Sequence, residues 1–129
     1  VFNNTVTDGY VVIKTPNTNS LNFKLFSKSY WGGYHAPRHF VLFNENNILD
    51  LCRRVGFTEV EIKFTQGAPQ WASTIYGIMH HKAVMTSGEF PPKIFANHVS
   101  SLMLAVLAAF DFTLGRFFGT DQMFVIIKK

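Results

Sequence analysis

Cysteine occurs once in the 129 residues, as Cys52, so no disulfide can close within the chain. A single thiol suits a reducing compartment, and a cytoplasmic location is expected. Cys52 lies between Leu51 and Arg53 in a run that reads as a helix, where a small buried hydrophobe is expected rather than a nucleophile. Charge is sparse. Twelve Lys and Arg against eight Asp and Glu leave +4, with no stretch of basic side chains interleaved with stacking aromatics, so nucleic acid is not an expected partner. No G-x-G-x-x-G run is present, and Gly32-Gly33 sits in an aromatic loop that follows no strand. Adjacent His80 and His81 would point about 100° apart on a helix, His35 and His98 have no partners at ligand spacing, and no metal is expected. Val1–Tyr10 lacks the basic, apolar and small-residue order of a signal peptide. Internal repeats and low-complexity linkers are also missing.

What the chain does have is core material. It is 47% hydrophobic and 16% aromatic, with 14 Phe, which excludes disorder and suits one domain. Gly9–Lys14 is a short apolar, β-branched run, read as a strand buried on both faces that stops at Thr15-Pro16-Asn17. Thr18, Asn19 and Ser20 can cap a helix over Leu21–Ser27 with Leu21, Leu25 and Phe26 inward. Lys28–Pro37 is an aromatic, Gly-containing loop. Asn44 is placed to cap a helix carrying Ile48, Leu49, Leu51, Cys52 and Val55 on one face, ended by Arg53, Arg54 and a left-handed Gly56. Thr58–Thr65 alternates as a half-exposed strand with Val60, Ile62 and Phe64 on its apolar side. Gln70–Thr86 reads as a helix with Trp71, Ile75, Ile78 and Met79 inward, followed by a break at Ser87–Pro92. Ile94–Phe118 is the most hydrophobic stretch, and Met123–Ile127 is a last strand after a turn at Gly119-Thr120-Asp121.

Three segments in this order resemble class I S-adenosylmethionine-dependent methyltransferases of the ubiquinone-biosynthesis type. "DGYVVIKTPN" resembles that family's fifth strand, and "APRHFVLFNENNILDLCRRVGFTEVEIKF" the segment that leads into its sixth. "GTDQMFVIIKK" resembles its antiparallel seventh. The match covers about three-quarters of the chain and leaves Lys82–Phe118 poorly matched. It implies an α/β fold, the C-terminal part of a Rossmann-like sheet, with three strands and flanking helices. In that part the last strand runs antiparallel between the other two. Residues 1–129 are thus read as one partial domain with a hydrophobic helical insertion at 94–118. The family's Gly-rich cofactor loop would lie upstream of anything present. S-adenosylmethionine is therefore expected in a parent enzyme and not on this chain alone, which is read as a fragment without activity of its own.

The resemblance makes this the acceptor-binding half for a small-molecule methyl acceptor. The sulfonium is already activated, so such a half aligns the acceptor and sometimes takes its proton. His39, near-neutral in its ordinary pKa, is the candidate base, with a backbone-bonded structural His as the alternative. Asn17 at a strand end would orient an acceptor oxygen or cap the turn. Tyr30, Trp31 and Tyr34 would cover an aromatic acceptor or anchor their loop on the core. Arg38 would meet an acidic substrate group or a surface carboxylate.

Two surfaces invite partners. If the fourth strand is missing, Tyr10–Lys14 is an open edge that recruits a second copy. Ile94–Phe118 is read first as a core helix on the sheet and second as a peripheral membrane contact. Its longest uncharged run, Val99–Phe110, is about two-thirds of the roughly 20 residues a span needs. The competing function class is a non-enzymatic α+β module that binds a lipid-like ligand or a partner protein.

Overall fold

A computed structural model describes residues 2–34, 39–81 and 98–129. After a single 3-10 turn, the elements run β1 (Tyr10–Pro16), α1 (Leu21–Phe26), α2 (Glu45–Val55), β2 (Glu59–Thr65), α3 (Ala68–His80), α4 (His98–Phe118) and β3 (Gln122–Lys128). The sheet order is β1-β3-β2, and β3 pairs antiparallel with both neighbours. The last strand is therefore central and reversed, as the resemblance implies.

Hydrogen bonds at the two ends of β1 set the phase of its ladder. Lys129 donates its N–H to Gly9 O at 3.0 Å, and Asn17 donates to Asp121 O at 2.9 Å. Odd-numbered residues of β1 thus face β3 through their main chain, and Tyr10, Val12, Lys14 and Pro16 turn theirs to the open edge. Pro16 extends the strand instead of stopping it, because the N–H it lacks would point away from β3. Beyond it, Thr18 donates to Phe43 O at 2.9 Å, and Asn17 and Phe43 form an isolated parallel bridge beside the same edge.

One face of the sheet carries the core. Ile48 and Cys52, one turn apart on α2, pack with Phe57, Met123, Val125 and Ile127, flanked by Val11, Ile13, Val60 and Ile62. Complete burial of a side chain such as Ile48 contributes about 1.5–3 kcal/mol. A reciprocal cap starts α2: Asn44 Oδ1 accepts the Asn47 N–H at 3.0 Å and Asn47 Oδ1 accepts the Asn44 N–H at 2.8 Å. Gly56 ends it at φ 106°. Burial holds the Cys52 thiol above its ordinary pKa, in keeping with an inert core residue.

Several inward expectations are corrected. β1 is not buried on both faces: Tyr10 is 65% and Val12 59% exposed, because α2 covers only the opposite face. On α1 the buried residue is Asn22, and Leu25 points out. Leu51 and Val55 on α2, Phe64 on β2, and Ile75, Ile78 and Met79 on α3 are also exposed. Periodicity located these faces but not how narrow each contact is. α3 spans Ala68–His80 and is capped by a left-handed His81, and the expected continuation to Thr86 and break at Ser87–Pro92 lie outside the described residues.

The core-helix reading of Ile94–Phe118 is overturned as well. α4 packs along α3 and touches α1, and does not cover the sheet. Its segment Ser101–Phe118 is almost wholly unburied, and is long and apolar enough by length and composition to cross a membrane, contrary to the count from sequence. Residues 94–97 lie outside the described segments.

Candidate functional site

The carboxyl ends of β1 and β2 meet the start of α3 in a region rich in buried polar groups. Thr15, Asn17, Ser20, Asn22, Gln70, Thr74, Asp111 and Asp121 are all at most 6% exposed. Burial at this density requires that the groups satisfy one another. Asp121, at the entrance to β3, accepts hydrogen bonds from the Ser20 hydroxyl and the Asn22 amide, and from Trp31 Nε1 at 3.4 Å. Asp111, in the middle of α4, accepts from Gly67 N at 2.7 Å, Trp71 Nε1 at 2.9 Å and Asp121 N at 3.2 Å. Thr74 accepts the Gly32 N–H at 2.8 Å and lies 3.1 Å from Asn22 Oδ1. This network ties α1, the aromatic loop, α3, α4 and β3 into one unit.

Burial dominates the Asp121 carboxyl and pushes its pKa up to about 6. Hydrogen bonds from Ser20, Asn22 and Trp31 pull it down, while the nearby Asp111 charge pushes it up.

Beside this network opens a cleft of about 360 Å³, lined by Lys14, Thr15, Pro16, His39, Gln70 and Gln122. It lies at the carboxyl end of β1, beside the starts of β3 and α3; open α/β sheets hold ligands beyond the carboxyl ends of their strands. His39 is half-buried in its wall. Gln70 brings a buried amide whose Oε1 has no hydrogen-bond partner among the described residues. The cleft therefore brings His39, Lys14, Thr15 and Gln70 around one space, where the Thr15 hydroxyl donates to Pro16 O at 3.3 Å and the Lys14 ammonium stands 5.5 Å from the centre of the Phe124 ring.

The other expected site residues stand elsewhere. Asn17 is 1% exposed; its Nδ2 donates to Thr120 O at 2.9 Å and its Oδ1 accepts the Asn19 N–H at 2.9 Å. Trp31 is buried with its ring edge-on to Phe23 at 4.8 Å and to Tyr34 at 5.1 Å. Tyr34 donates its hydroxyl to Ser27 O, and Tyr30 is half-buried. The loop thus lies on the chain's own core, with Trp31 outside the cleft wall. Arg38 falls outside the described residues. Gln70, Gln122 and Lys14 were missed from sequence. The only available signal was their position at strand and helix ends next to Thr15 and Pro69.

Gly32 and Gly33 serve close packing of the aromatic loop. A Cβ on Gly32 would stand 2.2 Å from Gln70 O, and one on Gly33 would stand 2.2 Å from the Trp31 ring. At both positions the space a side chain would need is filled by the chain's own atoms.

No family model matches the sequence, and no curated protein matches it. Among solved structures, the chain is similar to a SAM-dependent methyltransferase from Archaeoglobus fulgidus, with 22% identity and a TM-score of 0.43 over 95% of this chain and 46% of that one. The chain spans about half the length of that structure. At this level the likeness assigns no activity.

Proposed function

We propose that this chain is the acceptor-binding half of a SAM-dependent methyltransferase acting on a small molecule. The observation that carries the reading is the β1-β3-β2 order with the reversed last strand in the centre, joined to the three sequence segments that predict it. An uncovered sheet face supports the word half. Tyr10 and Val12 are exposed and Phe124 and Ile126 half-exposed beside an open edge, where a further layer would pack.

In this reading the 360 Å³ cleft receives the acceptor. His39 takes the acceptor proton or orients its oxygen, and Gln70, Thr15 and Lys14 fix its polar groups. Asn17, Trp31 and Tyr34 brace the elements around the cleft, and Tyr30 belongs to the same loop. The cofactor and its cradle belong to the other half, so this chain by itself transfers no methyl group. Apart from that half, the open edge pairs with a second copy.

A protein carrying this chain together with a Gly-rich-loop half tests the reading. His39→Gln there lowers kcat about 100-fold and removes the near-neutral limb of the pH profile, with KM for S-adenosylmethionine unchanged. Unaltered kcat and pH profile would remove His39 from the proposal.

A further inference from the structure

The amphipathicity of α4 is inverted. Asp111 and Arg116 are its only charged residues, and Asp111 is 3% exposed and hydrogen-bonded to α3. Leu102, Val106, Ala109, Thr113 and Phe117 follow at steps of four, three, four and four, which places them along one stripe of the helix. All five are exposed, Leu102 by 68% and Phe117 by 79%. The face turned away from the protein is therefore apolar and the face turned toward it holds the acid. An apolar groove of about 270 Å³, lined by Phe26, Trp71, Ile75, Val106 and Phe110, continues the stripe between α1, α3 and α4. Contiguous apolar surface of this kind marks an interaction site.

Charge decides the occupant. Among the described residues, α1, α3 and α4 carry no exposed carboxylate, and the side chains of Lys24 and Arg116 stand at the end of the stripe beside Phe117 and Phe118. Most exposed acids lie on other elements: Asp50 on α2, and Glu59 and Glu61 on β2. Glu45 alone reaches the cleft that Lys24 and Arg116 share. A second copy docking on this face would oppose the same cations, whereas an anionic bilayer meets both the apolar stripe and its basic rim.

We propose that α4 is an interfacial anchor that lays its Leu102–Phe117 stripe into an anionic bilayer surface, with Lys24 and Arg116 at the headgroups. It lies on the membrane and does not cross it, because Asp111 pins its inner side to Gly67 and Trp71. The inference is independent of the methyltransferase reading, and vesicle binding can fail while that reading stands.

Co-sedimentation of the full chain with vesicles of phosphatidylcholine alone, or with added phosphatidylserine, tests it. Binding is expected with phosphatidylserine and is weakened by salt. Val106→Ser and Phe117→Ser each lower the partition coefficient about tenfold, and Arg116→Gln lowers it about fivefold. These side chains are exposed, so far-ultraviolet circular dichroism stays unchanged. Equal or absent binding to both vesicles, or binding indifferent to these substitutions, would overturn the proposal. So would a soluble oligomer or a stoichiometric protein complex that Phe117→Ser dissolves.

Discussion

Asp111 Oδ2 accepts the backbone N–H of Asp121 at 3.2 Å, so two buried aspartates ten residues apart are joined through the main chain. The turn between α4 and β3 is held by that contact. Through it, the exposed helix is locked to the end of the central strand.

Removing Asp111 leaves three donors without their acceptor: Gly67 N, Asp121 N and Trp71 Nε1. Asp111→Ala is expected to destabilise the fold by about 3 kcal/mol in urea unfolding, with a change in tryptophan emission as Trp71 loses its partner. A loss below 0.5 kcal/mol, as at ordinary surface sites, would contradict the network.

Asp121 makes stability depend on pH in an unusual direction. Its folded pKa of about 6 stands above the ordinary 3.8, so the folded state holds the proton more tightly. Its contribution therefore grows as pH falls from about 6 toward about 4 and is lost as pH rises through about 6. The span from 3.8 to about 6 is worth roughly 3 kcal/mol at most. Denaturant midpoints at several pH values should show this slope in the native chain and not in Asp121→Asn. A native stability that falls between about pH 6 and pH 4 relative to the variant would contradict the assignment.

The sequence made much of this fold legible and less of the site. Strand alternation at Val60 and Ile62, the Asn44 cap and the left-handed Gly56 are local signals, and the structure bears them out. The central position of β3 is not local, and only the family resemblance anticipated it. The exposure of α4 was hidden because Leu102, Val106 and Phe117 look like core residues. What turns them outward is the helix's own buried acid, Asp111, which pattern reading takes for a surface group. Gln70 and Gln122 escaped for the opposite reason: nothing in a glutamine's sequence context says that folding will bring it to a cleft.

Asn17 illustrates how the two readings of a residue separate by measurement. With its amide bonded to both Thr120 O and Asn19 N, Asn17→Ala is expected to cost about 2 kcal/mol of stability. If stability were unchanged while acceptor binding fell, the side chain would belong to the ligand instead.

The open edge of β1 predicts self-association of this chain. Tyr10, Val12 and Lys14 turn their main-chain groups outward, and antiparallel pairing about Val12 sets Tyr10 opposite Lys14 of the second copy, with no like charges facing. Light scattering should show a concentration-dependent dimer that Val12→Pro abolishes, since it removes one outward N–H and leaves the β3 ladder intact. A monodisperse monomer would contradict the edge pairing.

If this chain is one half of a methyltransferase fold, as proposed above, the DNA upstream of the Val1 codon encodes the other half. Sequencing it is expected to show an open reading frame with a strand followed by a Gly-rich loop about 80–100 residues before Val1, the length of the strand–helix units that must intervene. A start codon close to Val1, with no such loop encoded upstream, would contradict it.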